Sequence, residues 1–336
     1  MIRIALDLMG GDKAPEEIKA GAFMYAQFLE KSKIDNVKIY VVGLPEHVRE
    51  FDSHPLKQYF ETVSTKDFLP MDIKPTEALR RKESSMYVCC QMLKEKQVDA
   101  VVSAGNTGAL LACATLVVGR IKGIERPALA VPVPSLKGFT VLIDAGANAE
   151  IRPEWLVQFA EMGIEYAKLL GVPDPKVGLL NVGTEENKGT EREKQAYIML
   201  KERYGTKFHG NVEGSDINLG TVDVVVTDGF SGNIAMKTME GVAKLISTII
   251  KQEVKKSFDG ILGALFFART LKKLKKKLDP RSYGGTFFLG VDGLVVKAHG
   301  NSDRVAIKNA LEVARRGVEN QLVEKLKKRL GREGNN

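Results

Sequence analysis

Six short segments, each following a run of aliphatic or β-branched residues, bring glycine together with Asn, Asp, Ser or Thr. They are Asp7-Leu-Met-Gly-Gly-Asp-Lys-Ala-Pro15, Ser103-Ala-Gly-Asn-Thr-Gly108, Asp144-Ala-Gly-Ala-Asn148, Asn181-Val-Gly-Thr-Glu-Glu-Asn-Lys-Gly189, Thr227-Asp-Gly-Phe-Ser-Gly-Asn233 and Ala298-His-Gly-Asn-Ser302. Glycine lets backbone N–H groups come close to a ligand. Helices starting at Thr107, Gly189 and Asn233 would turn the positive ends of their dipoles toward it. The chemistry such a set suits is the binding of an anion, phosphate above all. One such segment alone is an ordinary turn and helix cap; six together point to a site.

Two residues in these segments carry more chemistry than the rest. Lys188 is the cation best placed to meet a phosphate, or else a solvated loop lysine. Asn233 could donate a side-chain hydrogen bond to an oxyanion, or cap the helix after Gly229-Phe-Ser-Gly. Other machinery is missing. No G-x-G-x-x-G follows a strand, and Gly183-Thr-Glu-Glu-Asn-Lys-Gly-Thr190 has Lys and Gly in the wrong order for a Walker A loop. No H-E-x-x-H or Cys/His cluster exists, and His47, His54, His209 and His299 are scattered, so neither a metal nor a cofactor is expected. No G-x-S-x-G elbow offers a serine nucleophile. A reaction whose substrate brings its own nucleophile needs only positioning and charge stabilisation. Inorganic phosphate is such a nucleophile.

Six loops of this kind need strands to carry them. Short β-branched runs alternate with helical stretches, the rhythm of an α/β fold in which a mostly parallel sheet is sandwiched by helices. In such sheets ligands bind at the carboxyl ends of strands, and all six loops are expected along one such edge. Strands are expected over 2–8, 37–42, 60–64, 98–103, 128–133, 140–143, 176–181, 207–210, 222–226 and 293–297. Helices are expected near 15–31, 75–96, 107–120, 153–170, 189–204, 230–257 and 302–330. No Pro/Gly/Ser linker or fixed repeat divides the chain, so residues 1–330 read as one α/β unit, any two lobes being intimate, with a flexible tail over 331–336.

The 336 residues are 44% hydrophobic and 27% charged, ordinary globular values that exclude collagen-like and disordered classes. Three cysteines, Cys89, Cys90 and Cys113, cannot build a disulfide framework and suit a reducing cytosol. No signal peptide is visible, so a cytoplasmic location is expected. The formal charge of +8 is concentrated: residues 244–281 hold eleven Lys or Arg against three acids, and the remainder balances. Within that window Phe258, Ile261, Leu262, Leu265, Phe266 and Phe267 recur at helical spacing beside Arg269, Lys272, Lys273, Lys275, Lys276 and Lys277. A greasy face next to a basic one suits a membrane interface with anionic head groups, or an acidic partner. It also suits a surface helix under a solvated basic face. Nucleic acid is disfavoured, since a single tryptophan and one basic helix give no stacking platform or broad positive groove.

The six segments, with Gly210-Asn-Val-Glu-Gly214, resemble the bacterial phosphate acyltransferase family of phospholipid synthesis along nearly the whole chain. The resemblance implies a fold like that of phosphate acetyltransferases and isopropylmalate dehydrogenases. It implies transfer of a long-chain fatty acyl group from acyl carrier protein to inorganic phosphate, giving acyl phosphate for a membrane-bound glycerol-3-phosphate acyltransferase. It further implies a homodimer, peripheral membrane association through a basic helical hairpin, and Lys188 and Asn233 as the catalytic pair. The phosphate and substrate candidates are then Gly10, Gly11, Ser103, Gly105, Asn106, Thr107, Asn148, Asn181, Gly183, Thr184, Ser231 and His299. Asp7, Asp12, Asp144 and Asp228 would fix the loops, because an unpaired acid repels phosphate. Competing readings are a short-chain phosphate acyltransferase using acyl-coenzyme A, a metal-dependent dehydrogenase of the same fold, and a membrane-bound scaffold without catalysis.

Overall fold

The computed structural model describes residues 1–256, 263, 266, 267, 270 and 286–331. Phe258, Ile261, Leu262, Leu265, Arg269, Lys272, Lys273, Lys275, Lys276 and Lys277 lie outside the described residues, as does most of the expected tail. Among the described residues eleven strands form one sheet: β1 (Ile2–Asp7), β2 (Val37–Gly43), β3 (Phe60–Ser64), β4 (Ala100–Ser103), β5 (Ala128–Ser135), β6 (Gly138–Ile143), β7 (Val177–Leu180), β8 (Phe208–Val212), β9 (Val224–Val226), β10 (Thr286–Leu289) and β11 (Leu294–Lys297). Their order is β3-β2-β1-β4-β11-β10-β5-β6-β9-β7-β8.

Successive residues of each strand face opposite layers, as a pleated strand requires. Ile4, Leu6, Val102 and Ile143 belong to one buried cluster, with Ile18, Ala22 and Tyr25 of the helix Glu16–Lys31 and Ile307 and Leu311 of the helix Arg304–Glu319. Ala5, Val101 and Leu142 belong to the other, with Met86, Cys89 and Cys90 of the helix Ser85–Lys94. The sheet is thus buried on both faces, which is why its strands read as unbroken apolar runs.

The sheet corrects one expectation. β3, β2, β1, β4 and β11 are mutually parallel, and so are β6, β9, β7 and β8. Between these blocks, β11 to β10, β10 to β5 and β5 to β6 are all antiparallel. Three reversals leave the two blocks running in opposite directions. The six glycine loops therefore do not share one edge. Those after β1, β4 and β11 form one set, and those after β6, β7 and β9 form a second.

β10 was not among the expected strands; Phe287 and Leu289 are buried there, and Phe287 meets Tyr166 edge-on at 5.1 Å. The stretch expected as a helix near 75–96 is divided into Pro75–Ala78 and Ser85–Lys94. The last one breaks between Arg304–Glu319 and Leu322–Gly331, where Gln321 takes a φ of 52°. The helix Gly229–Lys256 is different in kind. Of its 28 residues only Gly229 and Gly232 are buried, and it runs on past the sheet with apolar side chains exposed. No described helix is long and apolar enough to cross a membrane.

Candidate active site

The first loop set is built around Asp7, the last residue of β1. Its two carboxylate oxygens accept from Ser85 Oγ and Ser103 Oγ, each at 2.6 Å. Burial raises its pKa, and those hydroxyls with the Met9 and Gly10 N–H groups oppose the rise. Ser103 is wholly buried and also accepts from the Gly105 N–H at 3.0 Å, so it holds the loop and does not face a ligand. Asn106 is engaged twice, accepting from Ala109 N–H at 2.8 Å as a helix cap and donating to the Met71 carbonyl at 2.7 Å. Thr107 opens the helix Thr107–Cys113 and is half-buried. Asp12 N–H donates to the Gly300 carbonyl at 2.8 Å, closing the β1 loop on the β11 loop. Gly11 takes a φ of +119°, and a Cβ there would stand 3.1 Å from Ala104 Cβ and 3.2 Å from the Gly300 oxygen. Gly10 and Gly105 are packed as closely: Cβ atoms there would meet Asp7 Oδ2 at 2.4 Å and Met86 Cε at 2.4 Å.

The second set has the same logic with a different acid. Asp144, fully buried, accepts from the N–H groups of Leu129, Gly146, Ala147 and Asn148 and from Asn148 Nδ2, at 2.7 to 3.1 Å. Burial raises its pKa and this ring of donors opposes it. Asn148 spends its amide here and on the Pro127 carbonyl. Asn181 donates to the Lys188 carbonyl at 3.1 Å and accepts from Val182 N–H at 2.8 Å, so it shapes the loop that carries the lysine. Gly189 in that loop has a φ of +87°, and a Cβ would come within 2.8 Å of Asn181 Oδ1. Thr184 is exposed. The stem of Lys188 crosses Gly183, where a Cβ would lie 3.2 Å from Lys188 Cγ. Its ammonium is exposed and 3.9 Å from Glu185 Oε1.

The helix after this loop is Glu191–Tyr204, with Thr190 as cap and Glu193 completing a capping box; it does not begin at Gly189. The helix bearing Asn233 begins at Gly229 on Asp228, whose carboxylate accepts from Ser231 N–H at 2.9 Å and Ser231 Oγ at 2.8 Å. Asp228, not Asn233, is therefore the cap. Ser231 serves that cap. Asn233 sits a turn further on, half-buried against the Gly146 backbone, and among the described residues its carboxamide has no hydrogen-bond partner. Arg192 joins the two elements, its guanidinium 3.1 Å from Asp228 Oδ2. The loop of Lys188 and the helix of Asn233 are thus held together by one ion pair.

That helix also reaches the first loop set. Lys237, four residues beyond Asn233 and so on the same face, lies close enough to Lys297 and His299 to oppose their protonation, and Glu240 favours that of His299. His299, exposed, accepts from Asn301 N–H at 3.2 Å. Its pKa is lowered chiefly by desolvation, with Lys297 and Lys237 acting the same way. Lys297 itself is the residue that sequence reasoning missed: a lysine at the end of a strand, buried, with Nζ donating to the Ala104 and Ala298 carbonyls. The signal was its place inside the run Leu294-Val-Val-Lys-Ala298, where an apolar residue would be ordinary.

Two glycine-lined loop clusters bridged by one helix face, with Lys237 and an amide unpartnered among the described residues on it, fit a site for phosphate and a carbonyl. A family model described as fatty acid synthesis protein matches residues 2–325. A phosphate acyltransferase from Fervidobacterium nodosum is 71% identical over 330 residues, 98% of each chain. One from Thermus thermophilus is 46% identical over 329 residues, again 98% of each. The chain belongs to the phosphate acyltransferase family. Membership makes it an acyltransferase, and the family description ties it to lipid synthesis. The fold of this phosphate acyltransferase is shared, at 15% identity and a TM-score of 0.62, by a phosphotransacetylase from Streptococcus pyogenes, over 95% of this chain and 94% of that one. It is shared at 12% identity and a TM-score of 0.54 by a 4-hydroxythreonine-4-phosphate dehydrogenase from Klebsiella pneumoniae, over 94% and 99%. The phosphate acetyltransferase-like α/β fold expected from the sequence is the fold found.

Proposed function

We propose that this enzyme transfers a long-chain fatty acyl group from acyl carrier protein to inorganic phosphate, forming acyl phosphate for phospholipid synthesis. A phosphate oxygen attacks the thioester carbonyl, the carbon–sulfur bond breaks, and the phosphopantetheine thiol leaves on the carrier. Lys188 orients the phosphate. The Asn233 carboxamide donates to the carbonyl oxygen as negative charge develops there. The observation that carries this reading is the half-buried Asn233 amide, unpartnered among the described residues and tied through Asp228 and Arg192 to the loop of Lys188. The reaction needs no cofactor beyond the phosphopantetheine brought by the carrier.

The acyl phosphate is a reactive anhydride with a long tail, so its consumer is expected at the bilayer, a membrane-bound glycerol-3-phosphate acyltransferase. The exposed Phe266 and Phe267, 87% and 63% accessible, and the basic run around them support peripheral binding to anionic lipid and steering of the acidic carrier. The exposed apolar stripe of the helix Gly229–Lys256 supports a homodimer.

The test is phosphate-dependent loss of the thioester from palmitoyl-acyl carrier protein, run beside palmitoyl-coenzyme A, with acyl phosphate trapped as hydroxamate. Turnover of the carrier substrate is expected, and Lys188→Ala should abolish it while the fold survives. Turnover with coenzyme A alone would replace the reading by the short-chain reaction, and none with either would leave a scaffold.

A further inference from the structure

A cation is buried at the end of β11. Lys297 is 7% exposed, and its ammonium donates to two backbone carbonyls, Ala104 and Ala298. Among the described residues no carboxylate pairs with it. Burial lowers its pKa to about 8, outweighing Asp12 and Asp7, which favour its charge from a distance; Lys237 acts with burial. Asp7 cannot swing to it, because both its oxygens are held by Ser85 and Ser103. Removing an ammonium from water costs about several kcal/mol unless an anion compensates. A lysine has three protons to donate, and the two carbonyls account for two.

The surroundings are shaped for a small anion. Register places Lys297 beside Ser103, so its side chain stands where the loops after β1, β4 and β11 meet. Gly10, Gly11 and Gly105 bring backbone close there, and Gly300 meets Asp12 across the mouth. The exposed Lys237 adds further positive potential around the same point.

We propose that Lys297 is the buried cation of a phosphate subsite, its missing counter-ion supplied by a substrate phosphate held between the loops after β1, β4 and β11. Which phosphate this is rests on the acyl-transfer reading: inorganic phosphate itself, or the phosphodiester of the carrier's arm. Lys237, about one turn from Asn233 on the same helix face, acts electrostatically on Lys297, so occupancy would bring one substrate toward the group that activates the other.

The experiment compares the wild type with Lys297→Met, which keeps the stem and removes the charge. Calorimetric titration with inorganic phosphate, and separately with holo acyl carrier protein, needs no turnover. If inorganic phosphate occupies the subsite, its affinity falls at least about tenfold in the variant and its KM rises alike. If the arm phosphodiester does, affinity and KM for the carrier change instead. Both parameters unchanged for both ligands would overturn the proposal.

Should the variant fail to fold, the wild type alone decides. Near pH 8.5 Lys297 is mostly neutral, and pairing with an anion must draw a proton onto it. The titratable groups facing it are Asp7, Asp12, Lys237 and His299. Titrations in two buffers of different ionisation enthalpy should show proton uptake with one of the two ligands; none with either refutes the subsite. Lys297-dependent phosphate binding without acyl transfer would sink the functional reading and keep the subsite. Acyl transfer with both KM values untouched by Lys297→Met would do the reverse.

Discussion

Asn233 and Ser231 stand two residues apart on one helix and do opposite work. Ser231 gives its N–H and hydroxyl to the Asp228 cap, whereas the Asn233 amide gives nothing to the described protein. Asn233→Ala should therefore lower kcat by about 10²- to 10³-fold, the usual cost of one oxyanion donor, with an unchanged melting temperature. Ser231→Ala should cost about 1 kcal/mol of stability and leave kcat nearly intact; a reversed pattern in paired kinetic and thermal assays would exchange their roles. Lys297 yields a stability test with a definite sign. Its ordinary value is 10.5 and its buried value about 8. Between these the unfolded chain binds a proton that the folded chain does not, so this group makes stability rise with pH across that window. Urea titrations from neutral to alkaline pH should show the rise in the wild type and lose it in Lys297→Met, which should be the more stable protein at pH 7 without ligand, by about 3 kcal/mol at most. The motif loops were legible because glycine and small polar residues recur after six separate apolar runs, more often than turns and caps alone require. What each polar atom does was less so. Ser103, Asn106, Asn148, Asn181 and Ser231 look like ligand-binding residues in one dimension and are turned onto loop backbone or carboxylates in three. Lys297 was hidden for the opposite reason, since a lysine at a strand end reads as solvated.

The helices and strands place these residues, and their coupling is a property of elements. Arg192 stands in the first turn of the helix Glu191–Tyr204 and reaches Asp228, the cap of the helix Gly229–Lys256. Arg192→Ala should let the Lys188 loop drift relative to Asn233. Small misplacements of reacting groups cost up to about 10²-fold, so kcat should fall by about tenfold or more while phosphate KM moves little. A structural role alone would instead lower the melting temperature at constant kcat. Element types were largely readable from periodicity, and strand direction was not. The short β10, four residues beside a basic stretch, carries two of the three antiparallel pairings, the third being β5 with β6. Without it the glycine loops seem to line one edge. With it they divide into two sets, and the helix Gly229–Lys256 becomes the element that joins them.

At the scale of the molecule that helix has more apolar surface than the other described residues cover. Val242, Leu245, Ile246, Ile249 and Ile250 are between 44% and 58% exposed. Their spacing of three and four puts them on one stripe, and contiguous apolar surface of this kind marks an interface. A second copy of the chain would cover it isologously, stripe against stripe. The same surface near the basic run could instead lie on lipid, and the two readings separate cleanly. Replacing Leu245 and Ile249 by Glu puts two acids on each facing stripe. For a dimer built here, sedimentation should report half the wild-type mass, and vesicle binding should weaken only as far as the loss of a second attachment predicts. Neutralising Lys272, Lys273, Lys275, Lys276 and Lys277 should spare the mass and reduce binding to anionic vesicles or raise KM for the carrier. A Glu variant of unchanged mass that no longer binds vesicles would assign the stripe to the membrane and leave the dimer to another surface.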